Sequence, residues 1–111
     1  GRTDNQINIG GEKVQAENLE LIIESLPSVK GCICFDIDDD ILGSTLSAIV
    51  EIEKAFSPKN NDVFNMQVDE VFKDHPPFHK PRTITFVNNL PITQNGKKIR
   101  DLSTLLEAQN G

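Results

Sequence analysis

Near its start the chain alternates apolar and polar residues. Ile7, Asn8 and Ile9 alternate, Gly10-Gly11 breaks the run, and Lys13, Val14 and Gln15 resume it. This predicts a small hairpin, or a strand, a glycine turn and a strand. From residue 16 to 26 the period lengthens. Leu19, Ile22, Ile23 and Leu26 fall at i, i+3, i+4 and i+7, one face of a helix, with Glu17, Glu20 and Glu24 on the solvent side and Pro27 as the stop. Residues 29–37 return to strand alternation, with Ile33, Phe35 and Ile37 on one face, and Asp38-Asp39-Asp40 reads as a polar turn. Residues 45–52 form a second buried strand hairpinned to the first. Residues 57–62 read as a loop. Residues 66–75 carry Val68, Val71 and Phe72 at helical spacing until Pro76-Pro77 ends the run. Residues 83–87 are a third strand, Asn95-Gly96 is a tight-turn dipeptide, and residues 101–108 close with Leu102, Leu105 and Leu106 on a helix. The expected architecture is α+β: a small three-stranded sheet flanked by helices, plus an N-terminal β-hairpin.

Length narrows this to one domain, because 111 residues support a single modest core. With 37% hydrophobic and 25% charged residues the chain is globular. The net charge of −6, from 17 acidic and 11 basic residues, argues against a generic nucleic-acid binder, which needs a basic surface. No apolar run approaches the ~18 residues of a membrane span, and the first six residues lack the apolar segment of a signal peptide. Cys32 and Cys34 are one residue apart, so on a strand they share a face. A disulfide across so short a loop is disfavoured, and a reducing, cytoplasmic compartment is the default.

Several patterns suggest chemistry and fail on their spacing. Asp36-Ile37-Asp38-Asp39-Asp40 resembles the start of a calcium loop, but the required Gly and Glu are replaced by Ile41 and Ser47. His75 and His79 would face one metal on a helix, but Pro76 and Pro77 break that helix. The Cys32–Cys34 pair has no second pair to complete a zinc set, so no metal is expected, and both cysteines read as small core residues. Gly10-Gly11-Glu12-Lys13 is not a P-loop. The stretch 91–100, PITQNGKKIR, is more informative. A turn at Asn95-Gly96 puts Lys97 at an exposed tip, where a compact ammonium can meet phosphate or carboxylate oxygens, with Lys98 and Arg100 adding positive potential. Spacing alone leaves open an ordinary solvated turn.

These segments together resemble the C-terminal domain of the adenylate-forming superfamily, which includes acyl- and aryl-CoA synthetases, peptide-synthetase adenylation domains and luciferases. Gly1 to Ile7 is similar to the GRxDxxI hinge motif, and Ile9-Gly10-Gly11-Glu12-Lys13-Val14 to the SGGxxI stretch after it. Leu26-Pro27-Ser28-Val29, Gly43 with Ala48-Ile49-Val50, Phe78-His79-Lys80-Pro81 and Phe86-Val87 with Leu90-Pro91 resemble the intervening elements in order. Pro91, Thr93, Gly96, Lys97 and Arg100 fit the closing PxTxxGKxxR motif. Ala16, Asn18, Ser44 and Phe78 depart from the usual residues without touching Asp4 or Lys97. The hinge string looks most like CoA ligases acting on acyl or aryl acids, O-succinylbenzoate–CoA ligase among them.

The resemblance implies two half-reactions: a carboxylic acid and ATP give an acyl-adenylate and pyrophosphate, then a thiol displaces AMP. It implies that Lys97 is the adenylation lysine and Asp4 the hinge about which the domain turns. Arg2 would face the nucleotide, and Gly10 and Gly11 would let backbone approach the pantetheine thiol arm. The implied substrates are ATP and CoA, with Mg2+ in the full enzyme and none bound by this domain alone. The implied partner is the large N-terminal domain, absent from this chain. A carrier-protein-loading adenylation domain, or a non-catalytic interaction module of the same fold, is the alternative. Residues 1–111 are thus expected to form one lid domain that folds alone and is inactive alone.

Overall fold

A computed structural model describes residues 6–9, 12–39, 41, 43–53, 61–76 and 79–110. Strands β1 (Gln6–Ile9) and β2 (Glu12–Gln15) pair antiparallel as a two-stranded sheet, with Ile7 opposite Val14. Helix α1 (Ala16–Glu24) follows directly. A second sheet has the order β3 (Val29–Asp39), β4 (Gly43–Ile52), β5 (Thr83–Val87). β3 and β4 are an antiparallel hairpin, and β5 lies parallel to β4. A parallel neighbour needs a crossover, and helix α2 (Asn61–Val71) lies in that connection. Helix α3 (Leu102–Asn110) ends the described chain.

The sheet is covered on both faces, which is why residues 29–37 and 45–52 read as nearly continuous apolar runs. One face presents Cys32, Cys34, Ala48, Val50 and Phe86 to α1 and α2, through Leu19, Ile23, Phe64 and Val68. Phe64 meets Phe86 edge-on, ring centroids 5.1 Å apart. The other face packs Ile33, Phe35 and Ile49 against Leu90 and Leu105. Gly31 makes the second packing possible: a Cβ there would lie 2.7 Å from Leu90 Cδ1.

The expected α+β architecture and its elements are present, with shifted limits. The second helix begins one turn earlier than residue 66, because the apolar stripe starts at Phe64. It also ends before residue 75. Beyond the Phe72 N–H, which still bonds the Val68 carbonyl at 3.1 Å, tighter turns follow, such as His75 N–H to the Phe72 carbonyl at 2.9 Å, as the approach to Pro76 disfavours helical backbone. Asp38 and Asp39 are strand residues paired with Ser44 and Gly43, not a turn, and Asp40 lies outside the described residues. Asp101 caps α3: its Oδ2 accepts from the Thr104 N–H and hydroxyl, both at 3.1 Å. Leu102, expected on the buried side, is half exposed.

The largest correction concerns α1. Glu20, expected in solvent, is only 1% exposed, while Leu21 is 64% exposed. The buried face of the helix is Ala16, Leu19, Glu20 and Ile23, which shares Leu19 and Ile23 with the apolar stripe and takes in Glu20 rather than Ile22.

Candidate functional site

The arm carrying Lys97 starts where the sheet ends. The Leu90 N–H donates to Glu51 Oε1 at 3.0 Å, and Lys30 holds the other carboxylate oxygen at 3.3 Å. From there residues 91–99 double back on themselves. Ile99 N–H donates to the Pro91 carbonyl (2.9 Å), Ile92 and Lys98 form an antiparallel bridge, and Thr93 N–H donates to the Lys97 carbonyl (2.8 Å). At the tip the Gly96 N–H bonds the Thr93 carbonyl (2.9 Å) and the Lys97 N–H bonds Thr93 Oγ1 (3.1 Å).

Gly96 has φ +84°, and among the described residues no non-glycine shares that region. A two-residue Asn-Gly turn of the tightest kind needs positive φ at both positions, so Asn95 rules it out. The connection is instead a three-residue loop, residues 94–96, whose last residue is left-handed. Lys97 is exposed just beyond it, as expected.

The next residues explain how the arm is held. In extended backbone, side chains two apart share a side. Lys98 and Arg100 face α1, whereas Lys97 points to solvent. Lys98 Nζ donates to Glu20 Oε1 and to Glu24 Oε2, both at 2.9 Å. Arg100 makes a two-pronged contact with Glu20, Nη1 to Oε2 at 2.8 Å and Nη2 to Oε1 at 2.9 Å. The same carboxylates cap β3. Glu20 Oε2 accepts the Cys34 N–H at 2.9 Å, and Glu24 Oε2 accepts the Cys32 N–H at 3.0 Å. Among the described residues β3 is an edge strand, and on this side these amides meet no neighbouring strand. Two glutamates four apart on a helix match two amides two apart on a strand, and the exposed edge is closed.

Two expectations change here. Lys98 and Arg100 do not add free positive potential beside Lys97; two carboxylates balance their two charges. Glu20 and Glu24, assigned to solvent, are central to the site. A signal for Glu20 did exist: counting i, i+3, i+4 and i+7 from Ala16 lands on Leu19, Glu20 and Ile23. Burial pulls the Lys98 ammonium toward neutrality, but its hydrogen bonds to Glu24 and Glu20 outweigh this and leave its pKa above the ordinary lysine value of 10.5. The Glu20 hydrogen bonds likewise raise Arg100.

Cys32 and Cys34 are free thiols buried in the first core, sulfurs 3.9 Å apart, consistent with small core residues. The hydrogen bond to Cys34 and burial push the Cys32 thiol well above its usual 9.0. His75 and His79 lie beyond α2, ring centroids 6.4 Å apart. Arg2, Asp4, Gly10 and Gly11 lie outside the described residues. No helix among the described residues is long and apolar enough to cross a membrane.

A mixed three-stranded sheet between helices, with an exposed lysine on an anchored turn, defines a small α+β domain. A family profile, the AMP-binding enzyme C-terminal domain, matches residues 18–97, from α1 to Lys97 itself. The chain belongs to that family. It is 30% identical over 106 residues to acetyl-coenzyme A synthetase 1 of Saccharomyces cerevisiae, a match covering 90% of this chain and 15% of that protein. It is 31% identical over 98 residues to the oxalate–CoA ligase of the same yeast, covering 87% and 17%. The chain thus spans about a sixth of the length of these relatives. In fold it is similar to an anthranilate CoA ligase solved with anthranoyl-AMP (TM-score 0.82, 24% identity, 99% of this chain and 21% of that one). It is also similar to an acyl-CoA synthetase of Brucella canis (TM-score 0.80, 23% identity, 98% and 20%).

Proposed function

We propose that this chain is the moving C-terminal domain of an AMP-forming acid–thiol ligase, and that Lys97 serves its adenylation step. The observation that carries the reading is the exposed Lys97 ammonium on a turn whose base is clamped to α1. Among the described residues no carboxylate pairs with Lys97, while Lys98 and Arg100 beneath it are both paired. A free cation on a rigid support is suited to charge that develops elsewhere. The names of the relatives, CoA ligases and acyl-CoA synthetases, support an acid and CoA as the joined partners.

In the first half-reaction a carboxylate oxygen of the acid attacks the α-phosphorus of ATP. The bond to the bridging oxygen breaks and pyrophosphate leaves. Lys97, brought over the large domain's site, orients the carboxylate and stabilises charge on the phosphate oxygens. In the second, the CoA thiol sulfur attacks the acyl carbon, its proton is lost to solvent or a base, and AMP leaves. Between the two the domain turns about Asp4, withdrawing Lys97 and presenting the Gly10-Gly11 stretch to the pantetheine arm; Arg2 faces the adenylate. Mg2+ accompanies the triphosphate. Among the described residues no group of three or more His, Cys, Asp or Glu side chains is arranged to hold a metal ion. Two buried free thiols fit a reducing cytoplasm.

The test is acid-dependent ATP–pyrophosphate exchange by the intact ligase. Lys97→Ala is expected to slow exchange by about 10²–10³-fold; undiminished exchange would remove the assignment. The 111-residue chain alone should show none. Asp4→Pro should impair thioester formation more than exchange, and equal losses would sink the hinge role.

A further inference from the structure

We infer that Glu20 and Glu24 are positioning residues for Lys97: through Lys98 and Arg100 they set where the Lys97 ammonium stands. The inference rests on the reading of Lys97 as the adenylation lysine. Its basis is a chain of contacts that runs from β3 through the two glutamates to the residues beside Lys97. The turn itself is held by hydrogen bonds between its own two limbs, from Pro91–Ile99 to Thr93–Lys97. Such bonds fix the shape of the turn but not its placement on the domain. Placement comes from the ends of the limbs. The outgoing one leaves buried Leu90, held by Glu51; on the return one, next to Lys97 itself, Lys98 is gripped by both glutamates and Arg100 by Glu20.

The glutamates are themselves immobilised. Each accepts an amide of β3, so the carboxylates cannot swing with α1's surface but are tied to the central sheet. Glu20 collects four donors, two from Arg100, one from Lys98 and one from Cys34, at 2.8–2.9 Å. A buried carboxylate so fully satisfied has one low-energy arrangement, and rotating it would strand several polar groups at once. Strand alternation then converts a fixed Lys98 into a fixed direction for Lys97, which leaves the backbone on the opposite side. Reactive groups tolerate displacements of well under an ångström. A surface turn whose neighbours were solvated would drift by more than that.

Two gentle variants of the intact ligase test this. Glu24→Gln keeps an acceptor for the Cys32 amide but removes the charge facing Lys98. Lys98→Met keeps the stem and removes the ammonium. In each, the kcat of ATP–pyrophosphate exchange should fall about tenfold, with KM for ATP and acid within about twofold. Thioester formation from supplied acyl-adenylate should be unchanged, because Lys97 is withdrawn in that step. In a Lys97→Ala background the same changes should cost nothing further, since they act through Lys97. Equal losses in both half-reactions would overturn the inference, as would no loss, or the same tenfold loss without Lys97. If Lys97→Ala alone leaves exchange intact, the function proposed above fails, and this inference with it. If Lys97→Ala abolishes exchange but Glu24→Gln and Lys98→Met do not slow it, only the positioning role fails.

Discussion

Lys97 stands exposed at the end of a three-residue loop, whereas Lys98, its covalent neighbour, is half-buried and shared between two glutamates. Both are lysines with the same charge and reach. What separates them is strand alternation, which sends one side chain to solvent and the other onto α1. The difference shows how a small domain can present a cation without neutralising it. The paired charges sit below, where they contribute rigidity, and the unpaired one sits above, where it can meet a ligand.

The comparison breaks most sharply under mutation of one side and then the other. Glu20→Ala removes the acceptor of four hydrogen bonds and leaves Arg100 and the Cys34 amide without it. Unfolding of the chain should become easier by about 3 kcal/mol, the lower end for a broken buried pair because Arg100 is 22% exposed. Lys97→Ala, proposed above to slow exchange in the ligase, should change the unfolding free energy by no more than about 0.5 kcal/mol. Similar shifts for the two would mean that tip and base are one stability unit.

Gly96→Ala probes the junction between them. Nothing lies within 4 Å of a Cβ at that position, so the cost is backbone strain alone, about 1 kcal/mol at φ +84°. Urea unfolding should register that loss. A neutral result would show that the turn can change type without disturbing its base.

The mildest probe is pH. The Cys32 thiol is raised in the folded state, so both states hold the proton below 9.0; above it the unfolded chain releases it first and stability falls. Lys98 is also raised. Its contribution is complete below 10.5 and is lost as pH climbs through its elevated value. Urea midpoints should therefore be flat from pH 7 to 9 on account of these two groups and decline at higher pH. Lys98→Met should flatten the upper part of that decline. An unchanged profile would show that Lys98 is not held as its contacts imply.

Much of the fold could be read from residue order. Alternation marked β3 and β4, Pro27 marked the end of α1 and Gly96 the turn before Lys97, because these signals are local: they depend on backbone geometry within a few residues. The helix limits were harder. α2 starts at Asn61 rather than residue 66 because Phe64 finds Phe86, a partner from another element. The Lys97 turn was legible from Asn95-Gly96, although its three-residue form depended on the hydrogen bonds made by Thr93.

Glu20 marks the boundary between what the chain carries in itself and what its packing supplies. By itself the sequence determined that a lysine follows a turn glycine and that a helix with a glutamate every few residues precedes two strands, since spacing and backbone preference suffice for both. It could not determine that this glutamate is buried. A carboxylate enters a core only when donors meet it there, and the donors are Lys98 and Arg100, 78 and 80 residues away, and an amide of β3. Tertiary structure alone brought them together, and with them decided which lysine of the pair is anchored and which is free.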